Sequence, residues 1–176
     1  AELHDLSIEI ITPIKEAPAI SLNKRKISAN ISTLLDQAVV VNRHPTRRAI
    51  FSLAAGMLSS FRNTLNTQGF TEIQTPKIVA AATESGANAF KLDYFGRPAY
   101  LAQSPQFYKQ IMVGVFERVF EVGPVFRAEP HDTTRHLNEY VSLDVEMGFI
   151  ENHFTIMALL RDVIANILDT FDQHYD

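Results

Sequence analysis

Hydrophobic and polar positions change their spacing several times along this chain, and each change marks an element. Between residues 45 and 68 the apolar residues Ile50, Leu53, Ala54, Met57, Leu58, Phe61 and Leu65 recur at intervals of three and four, the spacing that lines one face of a helix. Gly69 follows and predicts its stop. Residues 106–119, QFYKQIMVGVFERV, predict a second helix, opened by Ser104 as N-cap with Pro105 in the first turn. On it Gln106 and Lys109 lie three apart, share a face and can reach one ligand. A third helix is predicted from HFTIMALLRDVIANILDTF, with apolar residues 156, 160, 163, 167 and 171 turned to a core.

Elsewhere the period falls to two. In VFEVGPVFRAE, residues 119–129, Phe120, Val122, Phe126 and Ala128 take one side, and Glu121, Arg127 and Glu129 the other. In EYVSLDVEMGF, residues 139–149, the apolar Val141, Leu143, Val145, Met147 and Phe149 alternate with Tyr140, Ser142, Asp144 and Glu146. Each strand buries one face and presents an ionisable one. Paired as a hairpin through the loop of residues 130–138, they bring Arg127, Glu129, Tyr140, Asp144 and Glu146 to one concave surface. Shorter segments complete the pattern. FTEIQTP ends at Pro76, which cannot donate to a sheet ladder and so suits a strand end or an interface edge. TESGANAF (residues 83–90) predicts a loop, and AYLAQSP a short strand. Leu6, Ile8 and Ile10 alternate ahead of Pro13 and Pro18, which predicts a terminal strand and a hinge. The fold class expected is α+β, an antiparallel sheet flanked by helices.

Composition narrows the function. The 176 residues suffice for about one domain, and 46% hydrophobic against 20% charged residues is globular rather than disordered. A net charge of -4 excludes a bulk basic footprint, so any nucleic-acid contact needs a local patch. The absence of cysteine removes disulfides, thiolate zinc sites and thiol nucleophiles, and fits a reducing compartment. No apolar run reaches the length of a membrane span, and AELHDLSIEI has no signal pattern, so a cytoplasmic location is expected.

Candidate chemistry gathers in residues 126–140, FRAEPHDTTRHLNEY. An arginine among carboxylates suits a ligand with phosphate and amine or hydroxyl groups, because guanidinium matches phosphate in a bidentate fork. Pattern alone leaves a solvated face of mutually paired charges equally open, and for Lys109 it favours an exposed helix lysine. His131 and His136 lack the carboxylate and histidine spacing of a zinc site. Neither a glycine-rich phosphate loop between strand and helix nor a nucleophile elbow is present.

Four segments in order, GFTEIQTPKI (residues 69–78), TESGANAF (83–90), YLAQSPQFYKQ (100–110) and VGPVFRAEPHDTTRHLNEYVSLDVEM (122–147), resemble class II aminoacyl-tRNA synthetases. The likeness covers roughly residues 45–175 and is strongest to the aspartyl branch of archaeal and eukaryotic type. It implies an ATP-dependent, AMP-forming ligase working as a homodimer on L-aspartate and tRNA-Asp, with Mg2+. GFTEIQTP resembles the family's motif 1, with Pro76 at the dimer interface. FRAE and its loop resemble motif 2. By that likeness Arg127 is catalytic and holds the ATP α-phosphate, while Glu129 reads the adenine amino side and Tyr140 stacks on the base. Arg135 and His136 would meet the terminal phosphates or the tRNA acceptor end. For aspartate, Glu84 would close over the α-amino group, Gln106 would add a contact, Asp144 would hold the ammonium, and Lys109 would pair with the side-chain carboxylate.

The resemblance also sets expectations about extent. Residues 1–44 are expected to be the end of an N-terminal anticodon-binding barrel and a hinge linker, and 45–176 part of the catalytic domain. The family's motif 3, a glycine-rich segment with an ATP-binding arginine, has no counterpart here, and the main magnesium ligands are expected beyond residue 176. TLLDQAVVVNR (33–43) keeps only Leu35, Asp36 and Arg43 of the family's arginine- and aspartate-rich run. The chain is therefore expected to be a portion of the enzyme, inactive alone. An asparagine-forming paralogue and a non-catalytic dimerisation or tRNA-binding module are the alternatives.

Overall fold

A computed structural model describes residue 4 and residues 6–82, 88–131, 133 and 135–174. The chain divides into two compact units, Ala1–Ser52 and Leu53–Asp176.

In the first unit two short helices follow one another, α1 (Ile31–Asp36) and α2 (Ala38–Val41). The side chain of Asn30 accepts from Thr33 N at 2.8 Å and so satisfies one of the free amides at the start of α1. Val41 and His44 are buried, and the ring Nε2 of His44 makes a 2.8 Å hydrogen bond with the carbonyl of Lys24. The strand expected over Leu6 to Ile10 does not form: residues 6–10 have no regular element and are exposed. A strand needs a neighbour for its amides and carbonyls, and the described residues of this unit include none.

The second unit is α+β. Helix α3 (Pro45–Thr67) supplies its residues from 53 onward and stops at Gly69, whose φ of +79° favours a residue without Cβ. There follow β1 (Thr71–Glu72), β2 (Ile78–Val79), β3 (Lys91–Tyr94), β4 (Arg97–Leu101), α4 (Gln106–Phe116), β5 (Arg118–Phe126), β6 (Glu139–Met147) and α5 (His153–His174). The strands form two three-stranded sheets. One runs β1-β5-β6, with β1 parallel to β5 and β5 antiparallel to β6, and the other runs β2-β4-β3, antiparallel throughout. The expected hairpin of the two ionisable strands is present, with Glu121 opposite Asp144, Gly123 opposite Ser142 and Val125 opposite Tyr140.

That register sorts the sheet into two faces. Phe120 and Val122 join Phe61 and Leu65 of α3, Phe70, and Leu159 and Val163 of α5 in one core, with Leu143, Val145 and Met147 of β6 packed against it. Phe61 meets Phe120 edge to face, with ring centroids 5.7 Å apart. Each such fully buried side chain contributes about 1.5–3 kcal/mol. The opposite face carries Glu121, Gly123, Val125, Tyr140, Ser142, Asp144 and Glu146, and it is the face on which a site can be built.

Two helices depart from expectation. Helix α4 stops three residues early, at Phe116, because Glu117 adopts φ +64° and Arg118 already pairs with Met147 in the sheet. In α5 the expected Val163 and Ile167 do face the core, but Leu159 joins them in place of Ile156 and Leu160, which are 38% and 56% exposed. Helix α5 is apolar on more than one side, so spacing alone does not say which side faces the sheet.

Candidate functional site

At the open end of the β5–β6 hairpin the chain forms a cavity of about 410 Å³, lined by Arg127, Glu129, Arg135, His136, Leu137 and Tyr140. Strand pairing ends at Phe126 and Glu139, and short-range bonds then take over. Arg127 N donates to Asn138 O at 2.9 Å, Glu129 N donates back to Arg127 O at 2.8 Å, and Ala128 N donates to Asn88 O at 3.1 Å. The side-chain amide of Asn138, oriented so that its nitrogen faces the carbonyls, donates to Arg127 O at 3.0 Å and Glu129 O at 3.2 Å. Arg127 and Glu129 are thereby fixed by their backbones at the end of a strand, with both residues bordering the cavity.

The loop beyond is organised around His136. Its Nδ1 shares a 2.6 Å hydrogen bond with Thr133 Oγ1, its backbone N donates to Thr133 O at 3.2 Å, and its Nε2 stands 3.7 Å from Glu129 Oε2. Arg135 N donates to Thr133 Oγ1 at 3.2 Å, while its side chain is exposed. All five residues that the sequence reading assigned to one nucleotide, Arg127, Glu129, Arg135, His136 and Tyr140, border this single cavity.

A second cluster lies further along the same sheet face. Lys109, on α4, is 5% exposed, with Nζ 3.0 Å from Asp144 Oδ1 and 3.6 Å from Glu146 Oε2 on β6. Gln106 Nε2 donates to the same Glu146 oxygen at 3.5 Å. The pattern-based reading of Lys109 as an exposed helix lysine is thus wrong. Its burial depends on a carboxylate 35 residues away, Asp144, which local spacing does not show. Gln106 and Lys109 do share a face, as their spacing predicted, and that face turns to the sheet. The first turn of α4 is set by Pro105, fully buried at the N-cap position, with Ser104 Oγ accepting from Gln106 N at 3.3 Å.

The surface expected to hold Arg127, Glu129, Tyr140, Asp144 and Glu146 together is therefore two neighbouring clusters. Asp144 is four residues from Tyr140 on the same parity, about 13 Å along a strand. Pro76 is exposed, between β1 and β2. Glu84 lies outside the described residues. Sequence reasoning missed Asn138, whose amide closes the loop, and the partners of Glu121, a carboxylate 1% exposed on this face. Motif spacing did not flag either, because both act on backbone or on distant segments.

A larger hollow of about 540 Å³ lies over the β3–β4 hairpin, lined by Lys91, Leu92, Asp93, Gly96, Arg97 and Pro98. It shares no residue with either cluster.

Comparison with known proteins follows the same outline. The family model for class II tRNA synthetases (D, K and N) matches residues 30–176. The aspartate–tRNA(Asp/Asn) ligase of Deinococcus radiodurans is 54% identical over 160 residues, covering 91% of this chain and 37% of that protein. The ligase of the same name from Thermus thermophilus is 48% identical over 168 residues, covering 96% and 40%. Among solved structures, asparaginyl-tRNA synthetase from Pyrococcus horikoshii complexed with asparaginyl-adenylate aligns with a TM-score of 0.77 at 32% identity, over 82% of this chain and 33% of that one. The chain spans about two fifths or less of the length of these relatives.

Proposed function

This chain belongs to the class II tRNA synthetases of the D, K and N group, and from that membership we propose that it carries the amino-acid-activating part of an aspartate–tRNA ligase. The observation that supports aspartate is the buried cation of Lys109, bonded to Asp144 and facing Glu146 beside the Arg127 cavity. A zwitterionic dicarboxylate suits such a pocket. Its side-chain carboxylate takes the lysine, with Gln106 adding a contact, and its ammonium takes Asp144. Asparagine, with a neutral amide, offers Lys109 no carboxylate of its own and so forgoes the charge-assisted bond that favours aspartate. The structural likeness extends to an asparaginyl enzyme, and in this reading the choice between the two amino acids rests on Lys109.

ATP would occupy the neighbouring cavity. Tyr140 offers an aromatic face to adenine, Glu129 accepts from its amino group, and Arg127 binds the α-phosphate in a guanidinium fork. The α-carboxylate of aspartate attacks the α-phosphorus in line, the bond to the β-phosphate breaks, and pyrophosphate leaves. Arg127 stabilises the charge that builds on the phosphoryl oxygens, and the fixed distance between the two clusters supplies positioning. Arg135 and His136 would meet the departing phosphates or the tRNA acceptor end. A ribose hydroxyl at the 3′ end of tRNA-Asp then attacks the adenylate carbonyl, releasing AMP. Magnesium in this family neutralises ATP phosphates, but the described residues bring together no group of three or more carboxylate or imidazole side chains placed to hold a metal, so no step here is routed through it. Pro76, exposed between β1 and β2, would belong to a homodimer interface, and Glu84 to a loop over the substrate. Residues 1–44 would join this unit to an anticodon-reading barrel. No helix among the described residues is long and apolar enough to cross a membrane, and a cytoplasmic setting accords with the proposed reaction.

Aspartate-dependent ATP–pyrophosphate exchange by the full-length gene product, measured against a panel of amino acids, tests this reading. Exchange with aspartate and charging of tRNA-Asp is the expected result. Exchange with asparagine alone, or with no amino acid, overturns it.

A further inference from the structure

Glu121 has no part in the two clusters above, yet it is among the most buried side chains on their face, at 1% exposure. Its carboxylate is fully engaged. Oε1 accepts from Thr75 N at 2.8 Å, and Oε2 accepts from Thr75 Oγ1 at 2.8 Å and from Lys77 Nζ at 2.9 Å, while Lys77 Nζ also reaches Thr75 Oγ1 at 3.0 Å. The stem of Lys77 lies along β5 at Gly123, where an added Cβ would stand 3.4 Å from its Cε and 3.5 Å from its Nζ. A buried carboxylate with this many donors is costly to break open, so the 75–77 segment is pinned to the sheet.

What that segment holds in turn is the approach to both clusters. Lys77 O accepts from Ala102 N at 2.9 Å, and Ala102 O accepts from Phe126 N at 3.0 Å. Ala102 and the wholly buried Gln103 open the turn that ends at Pro105 and starts α4, the helix of Gln106 and Lys109; Phe126 immediately precedes Arg127. On the sheet itself Glu121 is the register partner of Asp144, to which Lys109 is bonded.

We propose that Glu121 and Lys77 act as a positioning pair, which by fixing the 75–77 segment sets the height of the residue 102–105 turn and so places Lys109 against Asp144. Neither residue touches substrate. In its consequence for catalysis this inference rests on the function proposed above, whereas its structural part does not.

Two measurements on the full-length protein separate the two. Hydrogen exchange of the segment around Ala102 to Lys109 reads the pair directly: Glu121→Gln, which leaves the Lys77 ammonium without its carboxylate, is expected to speed exchange there about tenfold while α5 keeps wild-type protection. Lys77→Met, a milder change at a side chain 21% exposed, is expected to do the same to a lesser extent and serves if Glu121→Gln does not fold. In the exchange assay both variants are expected to raise the aspartate KM about tenfold with the ATP KM within about twofold, because the 102–105 turn that carries Lys109 shifts while Arg127 keeps its separate bonds to Asn138. Unchanged protection at residues 102–109 in a folded variant overturns the pairing role. Altered protection with aspartate and ATP KM moved equally overturns its link to Lys109. Should the wild-type enzyme show no aspartate-dependent exchange, the proposed function falls, and hydrogen exchange still decides the pair.

Discussion

Lys109 concentrates the specificity question in one side chain. It is enclosed by α4 and the sheet, and its ammonium faces Asp144 and Glu146, whose side chains are 17% and 28% exposed. Truncation removes the only cation that the two sheet carboxylates share in the described structure, so Lys109→Ala is expected to lower stability by about 1–3 kcal/mol. Its effect on catalysis is larger. In the proposed role of Lys109 as partner of the substrate carboxylate, its loss costs about 2–5 kcal/mol of transition-state binding, so kcat/KM for aspartate in ATP–pyrophosphate exchange should fall by about thirtyfold to several thousandfold. Lys109→Arg keeps the charge but not the compact geometry and should recover only part of the activity. A Lys109→Ala enzyme that folds and exchanges with aspartate at the wild-type rate would remove the residue from its assigned role.

At the level of elements, α4 is the part whose placement decides the site, and its far end is fixed as tightly as its first turn. Gly148 N donates to Glu117 O at 2.9 Å, and a Cβ at Gly148 would stand 2.8 Å from Val113 Cγ1. Gly148→Ala is therefore expected to destabilise the protein by about 1–3 kcal/mol in urea unfolding. The double variant Gly148→Ala with Val113→Ala should be less destabilised than the sum of the two changes, because removing the valine methyls relieves the contact. Strict additivity would show that the close approach does not exist. The sequence made the larger elements legible wherever one periodicity dominated: α3 follows from spacing of three and four, and the β5–β6 hairpin and the ionisable face of both strands from alternation. It did not disclose which side of α5 is buried, since that helix is apolar on several sides, nor that α4 ends at Phe116, since the positive φ of Glu117 is imposed by the strand that follows. Of the site, the residues bordering the 410 Å³ cavity were legible because they are consecutive in a hairpin and its loop. The burial of Lys109 and the engagement of Glu121 by Thr75 and Lys77 were not, because each joins segments tens of residues apart.

For the molecule as a whole, the outward side of α5 is the feature with consequences. Met157, Leu160, Ile164 and Leu168 recur at helical spacing and are 58%, 56%, 50% and 55% exposed, a second apolar stripe beside the buried Leu159 and Val163. β6 adds a nine-residue strand at the edge of its sheet, unpaired on its outer side by any strand among the described residues. A polypeptide of these 176 residues should therefore self-associate. The stripe supplies a sharp test in the 176-residue polypeptide. Leu160→Lys with Ile164→Lys places charge on the outward side and should reduce association in sedimentation while helical circular dichroism is kept. Val163→Lys buries an unpaired ammonium in the core, where Val163 is 5% exposed, and should unfold the chain. If instead the Leu160 and Ile164 substitutions unfolded the chain and Val163→Lys were tolerated, α5 would bury the opposite side from the one described, and the core beneath the β1-β5-β6 sheet would have to be redrawn.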